Sequence, residues 1–249
     1  MCCFSQKVEQ VIDTKIFARD STKSLQFLVY EMNFKASEDL AMILPIPVPR
    51  FTPETGVRFI DLEKYADFFK DMDSGFPTSA SRSMAGMGGF GGGGAAKPLA
   101  VVSVGSFEAS FVPTVADFSR LDQRFRLPDG TWEKIPHYRS FGFTVFKLKK
   151  GHQKVHPMAF EFPRVNSRQL FFPTVHIHDG LLHDRANFDH LLYAQFSNRH
   201  PAGLHFWAES AQPAGMFLKP EKCQDMVDEE AHVYRRSIHG DHKNADVIA

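Results

Sequence analysis

Phe171-Phe-Pro-Thr-Val-His-Ile-His-Asp-Gly-Leu-Leu-His-Asp-Arg-Ala-Asn-Phe-Asp-His190 is the stretch from which the rest of the chain is read. Side chains alternate between the two faces of a strand, so Val175 and Ile177 point one way and Thr174, His176 and His178 the other. Asp179-Gly180 follows. That dipeptide suits a type I′ turn, in which both central residues need positive φ. A two-residue turn there sets His178 opposite Leu181, Ile177 opposite Leu182 and His176 opposite His183. Directly opposed side chains share a face, with Cβ atoms about 4.5–5.5 Å apart. The pattern therefore predicts a β-hairpin that gathers three imidazoles, those of His176, His178 and His183.

Three nitrogen donors around an open fourth position form the pattern of a catalytic zinc site, as in carbonic anhydrase, a likeness of local geometry alone. Copper and iron also accept imidazole, so the expected cofactor is zinc or another divalent transition metal. Asp179 and Asp184 flank the three rings and could orient their N–H groups. His190 and His156 are the substitutes if the register differs. Glu161 and Glu209 are the acid/base candidates for a metal-activated water. Half-buried histidines satisfied by backbone carbonyls would produce the same pattern, so the motif needs its structural context.

Outward from this stretch, composition narrows the classes. The 249 residues hold 29 Lys+Arg and 29 Asp+Glu, a balance that gives no electrostatic push towards nucleic acid or an anionic membrane. Twenty-five phenylalanines are enough to fill a large core. No run reaches the ~18–20 apolar residues of a membrane span, and no signal peptide precedes the first strand. Cysteine is confined to Cys2, Cys3 and Cys223, which argues for a reducing compartment and a cytoplasmic location. The partners expected are an unidentified small-molecule substrate and either a second copy or another protein.

Strands are predicted over 8–18, 25–35, 40–48, 57–62, 99–104, 106–112, 141–149, 158–162, 170–178 and 190–196. Gly105 is expected to mark a bulge. Helices are predicted over 62–72, from its apolar spacing, over 114–125, and from Pro220 to about Ile238. Residues 74–97 are a glycine-rich low-complexity segment without the Lys-Ser/Thr ending of a phosphate loop. The organisation expected is a β-rich half at 1–73, this segment, a second β-rich half at 98–238 and a polar tail at 239–249. The halves are read as one integrated domain. The fold class is α+β, mainly antiparallel β and sandwich-like, with two or three helices.

An internal echo bears on that organisation. Phe27-Leu-Val-Tyr-Glu-Met32 matches Phe143-Thr-Val-Phe-Lys-Leu148, and Met42-Ile-Leu-Pro-Ile-Pro47 aligns at the same offset with Met158-Ala-Phe-Glu-Phe-Pro163. Val57-Arg-Phe-Ile-Asp61 parallels Val175-His-Ile-His-Asp179. A duplicated three-strand unit would read this way, although strand sequences also converge by chance.

The chain starts Met-Cys-Cys-Phe-Ser. Removal of Met1 would leave Cys2 with its own α-amine as base, an arrangement that resembles N-terminal-nucleophile hydrolases. Cys2 is the catalytic candidate of that alternative. Inert packing and S-acylation are the others. Cys2-Cys3-Phe4 together with Leu44-Pro45-Ile46-Pro47 resembles an uncharacterised bacterial family with a cysteine-containing start and an LPxP strand; the likeness implies a bacterial origin and no activity. Three functions thus stand open: a metal-binding protein with hydrolytic or lyase chemistry, a non-catalytic protein-interaction module, and an N-terminal-cysteine hydrolase.

Overall fold

Leu40 to Ile46 is buried at every residue, and this explains the architecture. Leu40, Met42, Leu44 and Ile46 pack into one apolar cluster and Ala41 and Ile43 into another. A strand buried on both faces belongs to a layer covered on both sides, so its sequence is an apolar run without alternation. The computed structural model describes residues 2–21, 24–76, 99, 101–105, 107–128, 130–154, 156–177, 181–196 and 206–249.

The strands before the glycine-rich segment are β1 Cys2–Phe4, β2 Gln10–Asp20, β3 Leu25–Ala36, β4 Leu40–Ile46 and β5 Arg58–Asp61. After it come β6 Val101–Val104, β7 Phe107–Val112, β8 Gly142–Leu148, β9 Gly151–Lys154, β10 Met158–Pro163 and β11 Phe171–Phe172. The last five are β12 His176–Ile177, β13 Arg185–Gln195, β14 Ala208–Glu209, β15 Tyr234–Lys243 and β16 Val247–Ile248. One sheet runs β12-β1-β4-β8-β7-β6. A second runs β14-β15-β13-β2-β3-β10-β5, with β9 also on β3, and β11 pairs with β16. Pairings β1–β12 and β2–β13 are parallel and the other described pairings antiparallel. The fold is α+β and mainly antiparallel, as composition and pattern predict.

The two large sheets face each other across a core that takes Ile16, Leu28 and Tyr30 from one and Met42, Phe146 and Leu148 from the other. The outer face of the second sheet carries Phe17, Val29 and Tyr193. It is covered by α1, Phe68–Ser74, and by residues from Ala214 to Val233. The outer face of the first carries Ile43, Phe143 and Val145 under Phe118, Phe125 and Tyr138. Each fully buried phenylalanine contributes roughly 1.5–3 kcal/mol to such a core.

The echo has a structural counterpart. β3 pairs with β10 and β4 with β8, so each copy's first strand lies beside the other copy's second. The offset that carries Phe27 onto Phe143 also carries Pro45 onto Glu161. The pair Phe27↔Glu161 on one side is matched by Phe143↔Pro45 on the other. The third strands break this relation. β5 lies directly on β10, whereas β1 is inserted between β4 and β12.

Several sequence expectations are corrected here. The strand predicted over 170–178 is instead two short ones, β11 and β12, in different sheets. No strand follows at 181–184. The next strand begins at Arg185, and it runs in the other sheet. His178, Asp179 and Gly180, the predicted turn, lie outside the described residues. The helix predicted over 114–125 is two 3-10 turns, Val115–Arg120 and Gln123–Phe125, broken where the Asp122 carboxylate accepts the Arg124 N–H at 3.0 Å. The 62–72 pattern becomes a 3-10 turn, Glu63–Tyr65, followed by α1. The helix expected from Pro220 stops at Lys222, because Gln224 and Asp225 take positive φ. The chain then straightens into β15, whose residues pair with β13 from Tyr234↔Ala194 to Lys243↔Arg185. Much of the polar tail is therefore sheet. Gly105 has φ +53 in the turn between Val104 and Phe107, which pair. A Cβ there would stand 2.7 Å from the His156 ring. No helix among the described residues is long and apolar enough to cross a membrane.

Candidate functional site

The N-terminal strand brings two of the sequence-predicted residues, Cys2 and His176, into register. β1 enters between β4 and β12, with Cys3 opposite Ile43 on one side and Ile177 on the other. Cys2 stands in register with His176. The Cys2 side chain lies outside what the structure describes, and Cys3 is fully buried. Ser5 ends the strand by exchanging bonds with Ala41: its N–H donates to the Ala41 carbonyl and its Oγ accepts the Ala41 N–H, both 2.9 Å.

β12 is too short to set its own position, and side chains from the end of the chain set it. The Asn244 Oδ1 accepts the His176 N–H at 2.7 Å, and its Nδ2 donates to the carbonyls of His176 and His183 at 2.9 and 3.0 Å. Asp246 accepts the N–H groups of Thr174 and Val175 at 2.9 and 3.1 Å and the Tyr138 hydroxyl on its other oxygen. Burial, reinforced by that carboxylate, pushes the Tyr138 phenol far above its ordinary pKa, so it stays a donor. Asn244 and Asp246 are positioning residues that local pattern could not reveal, since they stand in what reads as a solvated tail.

His176 turns its ring to His190 on β13. The two Nε2 atoms are 3.3 Å apart, the rings stack at 4.9 Å, and Phe188 closes against His176 at 4.5 Å. His190 is buried and His183 is exposed. The structure thus joins His176 with the substitute residue His190, while the Asn244 amide ties the backbone of His176 to that of His183. His156 stacks on Phe107 at 4.5 Å, and burial lowers its pKa. Glu161 is engaged by Arg58 at 3.0 Å and Glu209 by the Tyr234 hydroxyl at 3.0 Å, so neither acid/base candidate faces the imidazole pair. Among the described residues no group of three or more His, Cys, Asp or Glu side chains is placed to hold a metal ion.

The third thiol offers no nucleophile. Cys223 is buried, and burial, then Glu221 and Asp71, push its pKa up to about 12. A thiol of that kind is protonated and unreactive at neutral pH.

No family model matches the chain, and no curated protein matches it. Solved structures do. A mutated baculovirus P35 after caspase cleavage is 14% identical, with 94% of this chain and 98% of that chain covered at a TM-score of 0.50. Baculovirus P35 itself is 14% identical over 97% and 96%, at 0.49, and the caspase-8/P35 complex is 13% identical over 95% of each chain, at 0.49. At this identity the likeness is one of fold. The expectation of a bacterial zinc protein is corrected: the structural match at a TM-score of 0.50 is to a baculovirus protein, and no metal-holding group is found among the described residues. Pairing with β1 and the Asn244 side chain place β12 in the first sheet, whereas the chain from Arg185 onward joins the second.

Proposed function

We propose that this protein acts by binding another protein, without catalysis of its own, and that its partner is a protease of the caspase class. The observation that carries this reading is the architecture shared along 94% of the chain with a P35 described as cleaved by a caspase. Fold alone does not transfer function, so the reading rests on its test. Purified protein is added to active caspases turning over a fluorogenic peptide, and its own integrity is followed by mass spectrometry. Loss of turnover, with a stoichiometric complex or a cut chain, is the expected result. Undiminished turnover by every caspase, with the chain intact and uncomplexed, overturns the protease assignment.

The register Cys2↔His176 favours a second reading, in which Cys2 is an N-terminal nucleophile with an imidazole-bearing residue as strand neighbour. Intact-mass analysis after treatment with an electrophile tests it. A retained Met1, or an unlabelled Cys2, removes it.

A further inference from the structure

The turn that leaves β4 carries a feature that neither the sheets nor the imidazole pair explains. The Pro49 carbonyl accepts both the N–H and the Oγ–H of Thr52, at 3.2 and 2.7 Å, closing a reverse turn whose third residue is Phe51. Phe51 has φ +64, where turns ordinarily place glycine, and its ring is 98% exposed. Backbone conformation disfavours a bulky residue there and the core gains nothing from it. Neither folding nor packing selects phenylalanine at this position, and an outlier of this kind points to a use at the surface.

The ring stands on the rim of a cleft of about 320 Å³ whose apolar lining includes Val48, Pro113 and Phe141. The cleft is held in shape by close packing. A Cβ on Gly142, next to Phe141, would lie 2.5 Å from the Phe111 ring and 2.9 Å from Val48. Arg50 and Arg139 complete the lining; both are exposed, and neither has a carboxylate partner among the described residues. The acids that follow the two walls in sequence are already used, since Glu54 and Asp117 both bind Arg120, at 2.5 and 3.4 Å. An apolar floor is thus edged by two cations and a presented aromatic ring.

We propose that this cleft docks an acidic segment of a protein partner, with an apolar side chain against Phe51 and flanking carboxylates on Arg50 and Arg139. Charge complementarity selects this occupant. A second copy of the chain fits poorly, because an isologous contact would set the arginines of one copy against those of the other. The proposal shares with the preceding reading only the premise of a protein partner, and its test uses no protease, so either can fail alone.

The probe is a short fluorescein-labelled peptide in which Asp and Glu flank a central Leu-Phe, followed by fluorescence anisotropy. The same peptide with lysine for every acid, and a short single-stranded DNA, are the competitors. The acidic peptide should bind, with Arg50→Glu/Arg139→Glu and Phe51→Gly each weakening it about tenfold or more, as loss of an anchoring residue does. Phe51→Gly should leave the melting temperature unchanged or raise it. Binding of the lysine peptide or the DNA as tightly as the acidic one overturns the proposal, as does no binding, or binding indifferent to both variants. A lowered melting temperature in Phe51→Gly makes the ring structural and overturns it equally.

Discussion

The last turn of α1 and the turn after β4 treat their exceptional residues in opposite ways. At the first, the Asp73 carboxylate takes Lys15 Nζ at 2.9 Å and the Tyr193 hydroxyl, with Arg235 at 3.7 Å. The Arg235 guanidinium in turn lies 4.4 Å from the Phe76 ring centroid. Burial opposes the charge on Lys15, yet Asp73 outweighs it and the lysine pKa is raised. At the second, Phe51 and Arg50 face solvent on a strained turn, with exposed Arg139 lining the same cleft. Stability accounts for the first arrangement, because a group withdrawn from water costs several kcal/mol unless it is paired. It does not account for the second, where a positive φ at a bulky residue costs on the order of 1–3 kcal/mol. Residues whose presence stability would oppose are the ones that report on binding.

Breaking the paired corner should have the largest effect. Asp73→Ala strands Lys15, whose side chain is only 13% exposed, and should cost about 3 kcal/mol in urea unfolding. The pair change Lys15→Met/Asp73→Leu should recover part of that loss, since it removes both members of the pair, while buried Glu31 gives up one nearby cation. A double variant no more stable than Asp73→Ala would mean that the corner is valued for more than its pairing. Next comes Gly142→Ala beside the cleft, where forced displacement of Phe111 and Val48 should cost about 1–3 kcal/mol, read as a fall in melting temperature.

Phe51→Gly should move stability the other way, raising it by about 1 kcal/mol as the strained φ is relieved. A destabilised variant would erase the contrast between the two turns. The smallest effect expected is a pH slope from His156, a residue that is partly buried yet titratable. Its pKa is lowered by burial, so the unfolded chain binds the proton more readily. The folded state therefore keeps its full stability above the ordinary histidine value of 6.5 and loses some as pH falls below it. Urea midpoints at pH 7.5 and 5.5 should differ more in the parent than in His156→Phe, and equal differences would show that other groups carry the slope.

Much of the strand content was legible because burial periodicity is a local property. Leu40–Ile46 declared itself by being apolar throughout. The run from Leu62 to Met72 spaced its apolar residues for a helical face, and Leu62, Tyr65, Phe68, Phe69 and Met72 are all buried. The cross-pairing of β3 with β10 and β4 with β8 was foreshadowed by the echo, although which copy paired with which was not. Nothing in the sequence around Arg50-Phe51 announced an exposed ring.

What the amino-acid order determined by itself was where strands form and which of their faces are apolar, because side-chain alternation and helical spacing involve residues a few positions apart. Only the tertiary structure decided which strands meet. His176 lies beside Cys2 and His190 because β1 pairs into the sheet and Asn244 and Asp246 hold residues 174–176 from far along the chain. Tyr234–Lys243 is extended because β13 offers it a full ladder of backbone partners, which outweighs its helical propensity. Backbone hydrogen bonds between distant segments carry no periodic trace in sequence, so the site they assemble could be seen only once the sheets were in place.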